Sequence, residues 1–166
     1  MTGIIKVDTI QNNGGTTAVT IASDGKMTTS QYIQQNGVPR FSARGGTDQT
    51  ATGPAVVQFT TADVNVGSCY STSTYRFTAP VAGDYYFFYS MMSNGNNYLR
   101  TRLRKNGSTY LGAETFTEAA TYSRTSYASI FTLAANDYVE VIYDTQGNDQ
   151  GPVHGGYRQF CGYLVG

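Results

Sequence analysis

The run Leu99-Arg100-Thr101-Arg102-Leu103-Arg104-Lys105 holds four cationic side chains in seven residues. In an extended strand, period two puts Arg100, Arg102 and Arg104 on one face and Leu99 and Leu103 on the other. Guanidinium groups bind phosphate and carboxylate bidentately, so one chemistry open to this stripe is recognition of acidic groups on a cell-surface glycan. The more ordinary reading is a solvated outer face paired with carboxylates such as Glu140 or Asp144 on another strand, or an edge guarded against aggregation. Two polar loops are the other candidates for ligand binding. Asn94 to Asn97 contributes Asn96, and Thr145 to Gly156 contributes Asp149 and His154 among Asn, Gln and Gly. Polar groups with tyrosine nearby suit sugars.

Catalytic chemistry finds little support. His154 is the only histidine and sits in a Gly-rich loop, with neither a nucleophile elbow nor a metal-binding motif in the chain. Cys69 or Cys161 as nucleophile would need His154 beside it in space. Two cysteines are too few for a disulfide framework and have no partner at metal-ligand spacing, so free, packed thiols are expected. The expectation is a non-enzyme.

The elements that must position these residues are strands. Only 13% of the 166 residues are charged, while 19 Gly, 14 Tyr and 8 Phe accompany many Thr and Ser, a mixture that favours pleated, half-buried surfaces over helices. Formal net charge is +0, so no whole-chain field draws nucleic acid or an anionic membrane. No segment approaches the ~18 apolar residues of a spanning helix, and no basic-then-apolar leader opens the chain. The chain is expected to start out soluble in the cytosol that makes it.

Residues 1–38 differ from the remainder. Ile5, Val7 and Val19, Ile21 suggest two brief strands around the turn Asn12-Asn13-Gly14-Gly15, and Met27 to Gln35 is either a helical turn or extended. Such a hairpin buries too little to stand alone and needs a partner. Across residues 39–166, strand-forming runs recur between Gly, Asn and Pro clusters, the pattern of a sandwich or jelly roll. The expected strands are Arg40–Ala43, Ala55–Phe59, Tyr75–Thr78, Asp84–Met92, Tyr98–Lys105, Thr109–Ala113, Tyr122–Leu133, Tyr138–Asp144 and Gln159–Val165, with no internal repeat.

Two of these strands break the alternation that an antiparallel sandwich requires. In Tyr85-Tyr86-Phe87-Phe88-Tyr89 both faces carry large rings, and Phe160-Cys161-Gly162-Tyr163-Leu164-Val165 is read the same way. A second sheet covers only one face, so Tyr86, Phe88, Phe160 and Tyr163 are the candidates for core or subunit interface, and another copy of the chain is expected over the outer face. The alternative is that the outer tyrosines present their hydroxyls to solvent.

Several phrases in this part of the chain form an ordered set: Phe41-Ser42-Ala43; Asn65-Val66-Gly67 with Tyr70; Phe77-Thr78-Ala79-Pro80-Val81-Ala82-Gly83-Asp84-Tyr85-Tyr86-Phe87; Asn106-Gly107; Leu133 with Asn136-Asp137-Tyr138-Val139; and Phe160-Cys161-Gly162-Tyr163-Leu164. Together they resemble the complement globular-head (C1q-like), or tumour-necrosis-factor-like, domain. That resemblance implies an all-β antiparallel jelly-roll β-sandwich that is homotrimeric and carries no catalytic residues. It implies no cofactor, calcium being the one metal left open, with Asp144 and Asp149 as its carboxylates. The phrase Ile5-Lys6-Val7-Asp8-Thr9-Ile10-Gln11-Asn12, with Thr20-Ile21-Ala22-Ser23-Asp24-Gly25, is similar to the start of tail-fibre and related structural proteins of phages that infect cyanobacteria. It differs from long fibres in having one short appendage and no extended shaft.

Together these readings give a virion protein, with residues 1–38 attaching to other virion proteins or trimerising and residues 39–166 forming the head. The head is expected to meet a host cell-surface glycan; the second reading is a capsid or tail cement that touches only virion proteins. A glycan depolymerase is the third.

Overall fold

The computed structural model describes residues 7–11, 13–29, 37–50, 54–93, 95, 97–144 and 153–166. The chain divides into two units, residues 1–36 and 37–166. In the first, β1 (Thr9–Gln11), β2 (Thr17–Ile21) and β3 (Met27–Thr29) form an antiparallel sheet in that order. Ile10 stands opposite Val19 and Thr9 opposite Thr20. The first strand therefore starts later than the Ile5 and Val7 burst suggested; Val7 precedes it and Ile5 lies outside the described residues. Of the ambiguous stretch after Met27, the described part is extended. Its side chains are exposed or half-buried, as befits strands with few apolar residues.

Among the described residues the second unit is a sandwich of eleven strands: β4 (Arg40–Arg44), β5 (Ala55–Val56), β6 (Thr61–Val66), β7 (Tyr70–Ser71), β8 (Arg76–Thr78), β9 (Gly83–Met92), β10 (Asn97–Lys105), β11 (Thr109–Ala120), β12 (Arg124–Leu133), β13 (Tyr138–Asp144) and β14 (Gln159–Leu164). One sheet runs β12-β9-β14-β4-β6; the other runs β11-β10-β13-β8-β7, with β5 also on β13. All pairings are antiparallel. This is the expected all-β jelly roll.

Alternation places Tyr85, Phe87, Tyr89 and Met91 of β9 between the sheets, all fully buried. Phe41, Phe77, Phe87 and Phe160 pack there with ring centroids 4.8–6.5 Å apart. Burying one such ring is worth about 2 kcal/mol over leaving it exposed, whereas an exposed ion pair gives about 0–1 kcal/mol. The aromatic stack therefore outweighs the surface charge pairs in holding the sheets together. At one end of the core the rings give way to hydroxyls. Thr101 Oγ1 lies 3.0 Å from Tyr89 Oη and 2.6 Å from Thr115 Oγ1, and Thr125 donates to Thr115 at 2.6 Å. Thr125 and Tyr89 come from one sheet, Thr101 and Thr115 from the other.

Four elements of this unit depart from expectation, one of them β5, which ends at Val56 rather than Phe59. β6 and β7 were not foreseen. The sequence of β6, with Asp63 and Asn65, is polar because it is an edge strand paired only with β4. β11 continues to Ala120 rather than stopping at Ala113. Gly112, with φ +67, belongs to a bulge where Thr101 faces Thr115 but Leu103 faces Leu111, so the Gly-Ala step bends the strand without ending it.

Candidate functional site

The outward face of the β12-β9-β14-β4-β6 sheet is built from the residues that alternation turns away from the core. Cross-strand register lines them up in rows. The first is Ile130, Tyr86, Tyr163 and Arg40; the second is Ala128, Phe88, Cys161, Ser42 and Val64; the third is Ser126, Ser90, Gln159 and Arg44. Ile130 and Tyr163 are 53% and 47% exposed, and the Tyr86 and Tyr163 rings lie 5.3 Å apart. Tyr86, Phe88 and Cys161 are half-buried. Two adjacent rows of rings and aliphatic groups thus remain partly open to water within one chain, which is the exposure expected of Tyr86, Phe88 and Tyr163.

Phe160 does not join them. Its side chain is fully buried between the sheets, against Phe41 at 4.8 Å and Phe59 at 5.6 Å. The closing strand is doubly apolar only through Cys161 and Tyr163, because Gly162 occupies an inward position. A Cβ on Gly162 would stand 2.7 Å from both Phe87 Cδ1 and Tyr86 O, so the close approach that Gly162 permits is within the chain.

Alternation on β10 sends Leu99, Thr101 and Leu103 inward and Arg100, Arg102 and Arg104 outward, as anticipated. Carboxylates meet all three arginines. Arg100 lies 2.5 Å from Asp144 and 3.2 Å from Glu114, Arg102 lies 3.1 Å from Glu114, and Arg104 lies 2.7 Å from Glu140. Glu140 is fully buried and also holds Arg76 at 2.9 Å, a hydrogen bond that raises the Arg76 pKa above its ordinary value. The Arg102 guanidinium sits 3.5 Å over the Tyr110 ring. This is the paired-face alternative, with Glu140 and Asp144 the partners expected for it and Glu114 an addition. The stripe is an internal charge network, which leaves these arginines poorly placed to cradle an outside anion.

Asn96 and Asp149 lie outside the described residues. Asp144 has a carboxylate oxygen on Arg100, and among the described residues no group of three or more His, Cys, Asp or Glu side chains could hold a metal ion. The described residues therefore do not form a calcium cradle. Both thiols are free; burial pushes Cys69 up to about 11 and raises Cys161, so neither is primed as a thiolate nucleophile.

His154 caps a 3-10 turn over Gly155–Tyr157, its Nδ1 accepting from Gly156 N at 3.2 Å. Its ring meets the Tyr157 ring edge-on at 4.6 Å and faces Tyr122 at 6.5 Å. These three side chains, with Met92 and Arg124, line a cleft of about 460 Å³. A second cleft of about 330 Å³ shares Tyr157 and Arg124 and extends to Arg44, Asp63, Arg158 and Gln159. Sequence reasoning singled out His154 but missed Tyr122, Arg124, Tyr157 and Arg158, which are scattered along the chain and brought together only by strand pairing.

The family model for the C1q domain matches residues 40–165. Complement C1q tumor necrosis factor-related protein 3 of Mus musculus and that of Homo sapiens are each 29% identical over 111 residues, covering 64% of this chain and 43% of the relative. The chain thus spans under half the length of these curated relatives. The solved globular domain of zebrafish complement 1qA protein has a TM-score of 0.65 at 23% identity, covering 78% of this chain and 98% of that one. The Eiger TNF of S. frugiperda reaches 0.63 at 9% identity, covering 78% and 93%. The structural likenesses establish the jelly-roll fold, and the family model, spanning all but the first β-unit and the short segment after it, establishes membership: this chain belongs to the C1q domain family.

Proposed function

We propose that the chain is a bacteriophage virion protein of fibre or knob type, made in the host cytoplasm, whose homotrimeric C1q-like head attaches the particle to the host surface. The observation that carries the trimer is the pair of apolar rows through Tyr86, Phe88 and Tyr163, which water penalises until a second copy covers them. Domains of this family form homotrimers, which agrees. The virion assignment is supported by the likeness of Ile5 to Asn12 and Thr20 to Gly25 to phage fibre proteins. On this reading residues 1–38 join other virion proteins, and the head binds a host glycan without performing a reaction on it. Three modest sites on one rigid trimer gain strength through effective concentration.

Antibody labelling of particles in the electron microscope, together with adsorption of the purified chain to host cells, tests the proposal. Particles without label, or a chain that fails to adsorb, would overturn it. The second reading, a cement protein, keeps the label and loses the adsorption: deletion would change particle stability and leave attachment intact. Release of reducing sugar from host polysaccharide would instead select a depolymerase.

A further inference from the structure

The turn between β10 and β11 sets two requirements against each other. Asn106 and Gly107 take left-handed φ values of +51 and +72, and Ser108 N returns to Lys105 O at 3.2 Å. Two successive residues with positive φ make a tight hairpin turn, and Asn-Gly is the pair that adopts it with least strain. Space demands glycine too, because a Cβ on Gly107 would stand 2.8 Å from Tyr138 Oη. The same pair is among the most self-reactive in a polypeptide. With no side chain on Gly107 to block approach, its backbone nitrogen can attack Asn106 Cγ. An N–C bond forms, the Cγ–Nδ2 bond breaks, and the amide nitrogen leaves as ammonia with the proton from Gly107 N. Water then opens the five-membered imide to aspartate or isoaspartate.

Asn106 is exposed, so water is not withheld from it. Its side-chain amide is nevertheless held at both ends. Nδ2 donates to Asp137 Oδ1 at 2.7 Å and Oδ1 accepts from Tyr138 N at 2.9 Å, while the backbone N–H donates to Tyr138 O at 3.0 Å. Asp137 is fixed in its turn, accepting from Ala134 N at 2.9 Å with Lys105 Nζ at 3.5 Å, and the Arg76 guanidinium lies 4.1 Å over the Tyr138 ring. These partners sit at the start of β13 and just before it, outside the hairpin. To close the imide, the amide must leave β13 and swing back over Gly107 N. Both side-chain hydrogen bonds then break, one of them to a carboxylate.

The products do not fit the place the amide leaves. Aspartate at position 106 would set an acceptor where Nδ2 now donates to Asp137, bringing two carboxylates together, and isoaspartate would lengthen the main chain of the turn by a methylene. We infer that Asn106-Gly107 is a latent deamidation site that the folded head keeps shut, with Asp137 and Tyr138 N as the clamp. The head ages at this turn only when the start of β13 parts from it. The inference holds whatever the head binds, and neither particle nor glycan enters its test.

Full-length chain is held in mildly alkaline buffer, folded or in urea, and digested at intervals, with conversion at each Asn-Gly pair read by peptide mass spectrometry. Asn13-Gly14, Asn36-Gly37 and Asn94-Gly95 are references within the same chain. In urea Asn106 should convert at the pace of these three. In the folded chain it should be slower than in urea by at least about tenfold, as for an amide that must first leave a charged partner. Asp137→Ala, verified as folded by circular dichroism, should convert Asn106 on the order of tenfold faster than folded wild type and leave the references unchanged. If that variant does not fold, Asp137→Asn, which keeps an acceptor but no charge, should give a smaller acceleration at Asn106 alone. Equal rates at Asn106 in folded and urea-unfolded wild type would overturn the inference, as would a folded Asp137→Ala or Asp137→Asn chain with wild-type kinetics at Asn106.

Discussion

Glu140 shows how a single buried side chain can hold two cations. It is fully buried, and both oxygens are engaged, Oε1 by Arg104 and Oε2 by Arg76. Replacing it with Leu removes the anion and leaves two guanidiniums facing an apolar group. Losing one partner of a buried ion pair costs roughly 3–5 kcal/mol, and because Arg76 and Arg104 retain some water the low end, about 3 kcal/mol, is expected from urea unfolding. Arg102→Met, at a more ordinary surface pair, should cost about 1 kcal/mol or less by the same measurement. Asp137 gives a pH-dependent counterpart. Hydrogen bonds from Asn106 and from Ala134 N, with Lys105 nearby, hold its carboxyl below the usual 3.8. A depressed folded-state pKa stabilises above the unfolded value and the gain disappears as pH falls through the folded value. The urea midpoint should therefore drop as pH is lowered below about 4, and Asp137→Asn should drop less steeply over the same window.

At the level of strands, Gly162 decides whether β14 can lie against β9. A methyl there would press on Tyr86 O, a backbone atom that no rotamer change moves, and on the Phe87 ring. Gly162→Ala is expected to lose about 2 kcal/mol, within the usual cost of overpacking a core, with the thermal midpoint by circular dichroism as the measure. The same strand shows what could and could not be read from sequence. Runs of strand-forming residues between turn clusters located β9, β10, β13 and β14, and alternation oriented the β10 arginines correctly. It could not find β6, whose exposed edge needs no apolar period, nor tell the Gly112 bulge from the end of β11. It left Phe160 open between core and interface because the sequence of the closing strand, taken alone, does not say which set of alternate residues faces inward; the structure places it in the core. The neutralised stripe was legible as one of two readings, since Glu140 and Asp144 were visible partners. Of the cleft lined by Tyr122 and Tyr157 only His154 was legible, because Met92, Tyr122, Arg124 and Tyr157 join it only through pairing of β9 with β12 and the turn before β14.

For the whole molecule, the decisive quantity is the state of association. The proposed trimer should scatter light with three times the 18.0 kDa of one chain. Tyr86→Asp puts a charge into the first apolar row and is expected to give monomer, or a misfolded head, while Arg102→Asp keeps the trimer. Cys161, in the second row, offers a readout independent of mass. Alkylation of Cys161 should be slow in the wild-type assembly and faster in a folded Tyr86→Asp monomer, with Cys69 protected in both by the core. Wild-type chain at 18.0 kDa and micromolar concentration, with Cys161 freely alkylated, contradicts the trimer.

The hydroxyl cluster of Tyr89, Thr101, Thr115 and Thr125 has a consequence for how this core can change over generations. Rings and aliphatic groups tolerate replacement one at a time by apolar groups of matching volume, since each contributes through area and shape. Hydroxyls that share protons do not, because removing one leaves its neighbours buried with an unmet donor or acceptor, while replacing all together by apolar groups of matching shape is nearly neutral. Each single step out of the network is therefore uphill even where the end point is level. Changing the quartet therefore takes concerted substitutions, whereas the surrounding apolar core can change one matched side chain at a time.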